Sequence, residues 1–229
     1  IDETQVVTYQ IEPQTPKEVR YSIFNRINTG GLKLNAQEIR NALNQKGIAV
    51  KFLEEQCDTG EFKRVVNIHS DRMLDRELAL RFFAFKILKV DDHFKNLSSF
   101  LDRAMEKIDE FDYISPELTR LGEEFRQALE LSEIILGENH KFSKSIIDNG
   151  KRSLNRSLFD SLVVSLSEVR DRESFIQNAQ YFKKRLIQHL SDEQSLLSQA
   201  IFQGTSSKRA VIDRFKEMRK LIAETEGIV

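Results

Sequence analysis

The stretch DRELALRFFAFKIL, Asp75 to Leu88, is apolar over much of its circumference when wound as a helix. A helix without a clear polar face belongs inside a protein, so this segment predicts a buried helix with others packed round it. Phe82, Phe83 and Phe85 read as packing rather than as a ligand box. Sixteen phenylalanines and no tryptophan point to an aromatic-rich helical core. Outward from this segment, helix starts recur. Asn35-Ala-Gln-Glu38 has the form of a capping box, and Thr15-Pro16-Lys17-Glu18 that of a box with proline at the first helical position. Ser115-Pro116-Glu117-Leu118 opens another helix in the same way. Further helices are expected over Leu97–Phe111, Ser115–Leu136, Asn155–Arg170, Arg172–Leu190 and Ser207–Glu224. The three prolines fall at or near helix starts or in the first loop, as an α-rich fold requires. Only Thr4–Glu12, crowded with β-branched and aromatic residues, reads as a strand. The fold class is therefore mainly α, a multi-helix bundle with a small β remnant at its N-terminus.

The 229 residues suffice for one large domain or two small ones. Lys plus Arg, 35, nearly equals Asp plus Glu, 36, so no global field draws the protein to nucleic acid or membrane, and any anion site must be local. The single cysteine, Cys57, excludes an internal disulfide and fits a reducing, cytoplasmic location. Two neighbouring glutamates would raise its thiol pKa, which argues against a reactive thiolate. No apolar run approaches the roughly 20 residues of a membrane span. The opening IDETQVVTYQIE reads as a strand beginning mid-protein, so an upstream segment is expected.

Between the first two helical patterns lies Thr29-Gly30-Gly31, flanked by Arg26 and Asn28 on one side and Asn35, Glu38 and Arg40 on the other. Two readings are open. A helix ending at Asn28 needs a residue of positive φ, and glycine supplies it. Alternatively, the glycines let backbone approach a phosphate closely, with Arg26 in charge-assisted contact. Glu38 closes the capping box and could also orient a core residue. Arg40, two positions on, faces away from Glu38 and ranks below Arg26 as a ligand group.

The pattern Ile-Phe-x-Arg-Ile-Asn-x-Gly-Gly-x-x-Leu-x-x-x-Glu-Ile, Ile23 to Ile39, resembles the signature of the GmrSD restriction endonuclease N-terminal domain family. The likeness extends weakly through SDRMLDRELALRFFAF and SLNRSLFDSL to GTSSKRAVIDRF. It implies a ParB/sulfiredoxin-like α+β core joined to a helical extension. Residues 1–46 would be the C-terminal part of that core and 47–229 the helical domain. It further implies a bacterial restriction-type system for defence against phage. The ligands implied are a nucleoside triphosphate with magnesium, or DNA, at Arg26, Asn28, Gly30, Gly31 and Glu38. A nuclease subunit, or an N-terminal segment of the same protein, is the implied partner. The family's Asp-Gly-Gln-Gln-Arg motif has no counterpart here, so association with an NTPase or restriction endonuclease is expected rather than catalysis by this chain alone.

Two further segments carry cations at helix starts. NGKRSLNRSLFDSL gathers Lys151, Arg152 and Arg156 at one turn, a pattern suited to a nucleic-acid backbone. GTSSKRAV places Lys208 and Arg209 where a helix N-terminus could receive a phosphate, although Ser206 or Ser207 as a cap explains its hydroxyls equally. The histidines, His69, His93, His140 and His189, are scattered singly, and none has a metal-ligand or His-Asn-His spacing, so no metal or nuclease centre is expected. The competing function is a non-catalytic helical module that docks another protein.

Overall fold

The computed structural model describes residue 12 and residues 14–27, 33–66, 68, 72–137, 142–148 and 153–227. These form fourteen helices: α1 (Lys17–Ile27), α2 (Ala36–Leu43), α3 (Ile48–Asp58), α4 (Gly60–Val66), α5 (Leu74–Ile87), α6 (Val90–His93), α7 (Leu97–Asp109), α8 (Pro116–Leu136), α9 (Ser145–Asp148), α10 (Arg156–Leu166), α11 (Arg172–Gln177), α12 (Ala179–Ser191), α13 (Leu196–Phe202) and α14 (Lys208–Glu226). No strand occurs among the described residues, and the expected strand Thr4–Glu12 lies outside them except for Glu12. No helix among them is long and apolar enough to cross a membrane.

α5 is the axis of the bundle, as its sequence requires. Leu78, Ala79, Leu80, Phe82, Phe83 and Ala84 expose no surface at all. Its phenylalanines reach three neighbours. Phe83 meets Phe52 of α3 with ring centroids 4.7 Å apart, Phe82 meets Phe125 of α8 at 4.6 Å, and Phe85 meets Phe215 of α14 at 4.7 Å. These pairs are tilted, with interplanar angles of 55°, 34° and 56°, and their centroid distances lie within the range of favourable aromatic contacts. α10 lies against α5, α8 and α14, and α13 packs along α14.

Local hydrogen bonds set the helix ends. The Asn35 box forms in full: its side chain accepts from the amides of Gln37 and Glu38, and its own amide donates to Glu38 Oε2 at 2.6 Å. Ser115, Asn155 and Ser207 cap α8, α10 and α14 by accepting from the third amide of each helix. The Thr15 box rests on the Glu18 side chain, which is outside the described residues. Where one helix was expected over Arg172–Leu190 there are two. The Asn178 side chain donates to the Ser174 carbonyl, an acceptor its own amide also uses, and this local bond ends α11. Similarly, α10 stops at Leu166 because the Ser167 hydroxyl turns back to the Val164 carbonyl at 2.7 Å.

Arg40 fastens α2 to this body. Only 2% exposed, it donates from Nε to Asp102 at 2.6 Å and from Nη2 to the Ser98 hydroxyl at 2.9 Å. Its role is therefore structural.

Candidate phosphate-binding groove

The residues marked out in the sequence fall in two places. Arg26 is exposed in the last turn of α1; Asn28, Gly30 and Gly31 lie outside the described residues. Beyond capping α2, Glu38 receives Arg72, whose Nη2 and Nε donate at 2.7 and 3.1 Å. The Arg72 hydrogen bonds, with that of the Asn35 amide, hold this carboxyl below its ordinary pKa. Arg72 also donates to the Lys33 carbonyl, and its own carbonyl accepts from Asn35 at 2.8 Å. Glu38 thus uses both oxygens within the chain and orients Arg72.

The two basic segments, forty-odd positions apart, come together at a single groove. The Asn155 side chain donates to the Ile201 carbonyl at 3.1 Å, and Arg214 Nη1 donates to the Thr205 carbonyl at 2.7 Å. These bonds set the first turn of α10 beside the loop that opens α14. The groove between them has a volume of about 900 Å³. Its lining includes the apolar side chains of Leu74, Leu97, Ile201 and Phe202 and the polar ones of Arg81, Asn155, Arg156, Ser157, Thr205 and Ser206. Lys151 and Arg152 lie outside the described residues. Of the remaining cations of these segments, Arg156 lines the groove. Lys208 instead donates to the Asp91 carbonyl at 2.8 Å, and Arg209 to Asp213 at 2.7 Å.

Behind the groove is a buried charge cluster. Asp160, with no exposed surface, accepts from Arg81 Nε at 2.7 Å and also from Arg81 Nη2, while Arg214 Nη2 reaches it at 3.4 Å. One carboxylate therefore serves two guanidinium groups. Arg81, closely held, keeps its charge. Burial opposes that charge, but Asp160 and then Glu77 outweigh burial and raise its pKa. Arg214 is the undercompensated partner. Burial, reinforced by the charge of Arg81, lowers its pKa against the weaker pull of Asp160. Its Nε is buried and has no hydrogen-bond partner among the described residues. Arg81, the member of this cluster that lines the groove, brings positive charge to it, partly offset by Glu77. The amides that open α10 add to this, because the first turn of a helix has unpaired N–H groups and the positive end of the dipole.

None of Arg81, Asp160 and Arg214 stood out in the sequence as a site residue. The available signal was an ionisable group set inside an apolar run: Arg81 in LALRFFAF, Asp160 in SLFDSLVV. Buried charges are almost always paired, so each such residue implies a partner elsewhere.

A second groove of about 900 Å³ lies between the end of α5 and α14, lined by Phe85, Ile212 and Phe215 among others. Two of its cations are already bound, Lys86 to Glu124 at 2.9 Å and Arg219 to Glu168 at 2.7 Å. Cys57 is buried, and burial pushes its thiol up to about 12, so it stays protonated at neutral pH. Among the described residues no three His, Cys, Asp or Glu side chains are placed to hold a metal ion. His69 and His140, and the side chain of His93, are outside them; His189 Nδ1 lies 3.5 Å from the Ser195 hydroxyl.

No family model, curated protein or solved structure matches the chain. Over the described residues the chain is a mainly helical bundle with a groove lined by Arg81 and Arg156.

Proposed function

We propose that this chain is the recognition module of a restriction-type defence system of the GmrSD kind, and that it binds a phosphate-bearing ligand, nucleotide or DNA, in the groove between α10 and α14. Catalysis belongs to a partner, either a nuclease subunit or an N-terminal segment of the same protein. The carrying observation is that Arg156 and Arg81, the latter sharing the buried Asp160 carboxylate with Arg214, line one groove at the opening of α10. Phosphate is the oxyanion best matched to arginine forks and helix amides together. The near balance of charge over the whole chain makes this a local recognition site rather than a non-specific polyelectrolyte surface.

The test is a thermal melt with ATP, GTP or a short DNA duplex, each with magnesium, on the native chain and on Arg156→Ala. A ligand at about 100 times its dissociation constant should add about 2.7 kcal/mol of stability. The stabilisation should disappear in Arg156→Ala, whose side chain is half exposed and whose loss should leave the fold intact. Equal stabilisation of both proteins would place the ligand elsewhere.

A further inference from the structure

Glu77 stands between the two groove cations. It follows Leu74 by three residues on α5 and precedes Arg81 by four, so the three share a helix face, and Leu74 and Arg81 both line the groove. Glu77 Oε1 accepts from Arg81 Nη1 at 3.4 Å and lies 3.6 Å from Arg156 Nε. Both contacts are long beside the roughly 2.7–2.9 Å usual for charge-assisted bonds. The same Arg81 reaches Asp160 at 2.7 Å, and Arg219 reaches Glu168 at 2.7 and 2.8 Å. Glu77 is therefore a loosely held counter-charge in contact with both of the guanidinium groups that line the groove.

We infer that Glu77 is a tethered competitor for the ligand, and that it restricts the groove to phosphate monoesters, the terminal groups of a nucleotide or of a phosphorylated strand end, against the diesters of a nucleic-acid backbone. This rests on the reading of the groove as a phosphate site. To engage both guanidinium groups, a ligand must displace the carboxylate. A backbone diester carries one negative charge, the same as the group it would replace, so the exchange gains little. A monoester carries about 1.5 to 2 negative charges at pH 7 and three acceptor oxygens, enough to engage both cations and the α10 amides. Glu77 thus sets a threshold that a dianion passes and a monoanion does not.

The experiment measures fluorescence anisotropy of a short labelled DNA single strand, with and without a 5′-phosphate, on the whole chain and on Glu77→Gln. Competition with ATP and with pyrophosphate tells a free nucleotide from a strand end as the preferred source. The native chain should bind the phosphorylated strand at least tenfold more tightly. Glu77→Gln, which keeps the shape and removes the charge, should bind both strands about tenfold more tightly than the native chain does, so that binding of the unphosphorylated strand becomes measurable. Equal affinity of the native chain for both strands overturns the inference, as does unchanged or weaker binding by Glu77→Gln; the phosphate reading survives either result. Binding of no probe by either protein overturns both.

Discussion

Replacing Asp160 by alanine is expected to lower the stability of the fold by about 4 kcal/mol or more, which shifts the melting midpoint by roughly 10 °C for a chain of this length. Asp160 has no exposed surface and is the carboxylate shared by Arg81 and Arg214, themselves 3% and 0% exposed. Its removal strands two guanidinium groups in a low-dielectric interior. A buried charge without a partner costs more than the pair contributed, because desolvation is no longer offset. Glu77, 3.4 Å from Arg81, compensates only in part, and Arg214 retains the neutral Thr205 carbonyl in place of a charged partner. Chemical denaturation measures the loss. If it stems from stranded charge rather than from a cavity, Asp160→Leu combined with Arg81→Met and Arg214→Met should recover most of the stability. A loss under about 1 kcal/mol for Asp160→Ala would show that water reaches the cluster freely.

Phe83→Ala should cost about 3–5 kcal/mol, the range for deleting a buried aromatic ring. Phe83 is fully buried, with ring centroids 4.7 Å from Phe52, 5.2 Å from Phe82 and 5.2 Å from Phe125. The ring thus joins α3 and α8 across α5, and three aromatic partners on separate helices cannot all collapse into the space it leaves. Phe85→Ala should cost less, because that residue is half-buried at the margin of the second groove. Urea midpoints of the two variants, compared at a common slope, give the ordering. A larger loss at Phe85 would contradict the placement of the core.

The central helix is legible in the sequence because it is apolar over much of its circumference; expected over Asp75–Leu88, it runs from Leu74 to Ile87. The Asn35 box and the starts at Ser115 and Ser207 were legible for a different reason, since each is a bond between residues three apart. By contrast, no element was assigned to α3 and α4. Gly47, Thr59 and Gly60 break that region into short pieces whose apolar positions gain meaning only against α5, α7 and α8. The site shows the same divide. Arg156 and the loop before α14 could be marked as basic helix starts, but the sequence carried no sign that they share a groove. What joins them is pairing at long range: Arg81 with Asp160 over 79 residues and Arg214 with Asp160 over 54. Such pairs depend on topology, which local patterning does not encode.

Nitrogen-15 NMR of the whole chain during titration with pyrophosphate shows whether a phosphate group binds between Arg81 and Arg156 at the opening of α10. Saturable shifts are expected for the Arg81 and Arg156 Nε–H signals and for the Ser157 amide, while Phe215 and Lys216, in the second groove, stay unmoved. Shifts confined to the second groove, or none at the arginines, would contradict binding between Arg81 and Arg156.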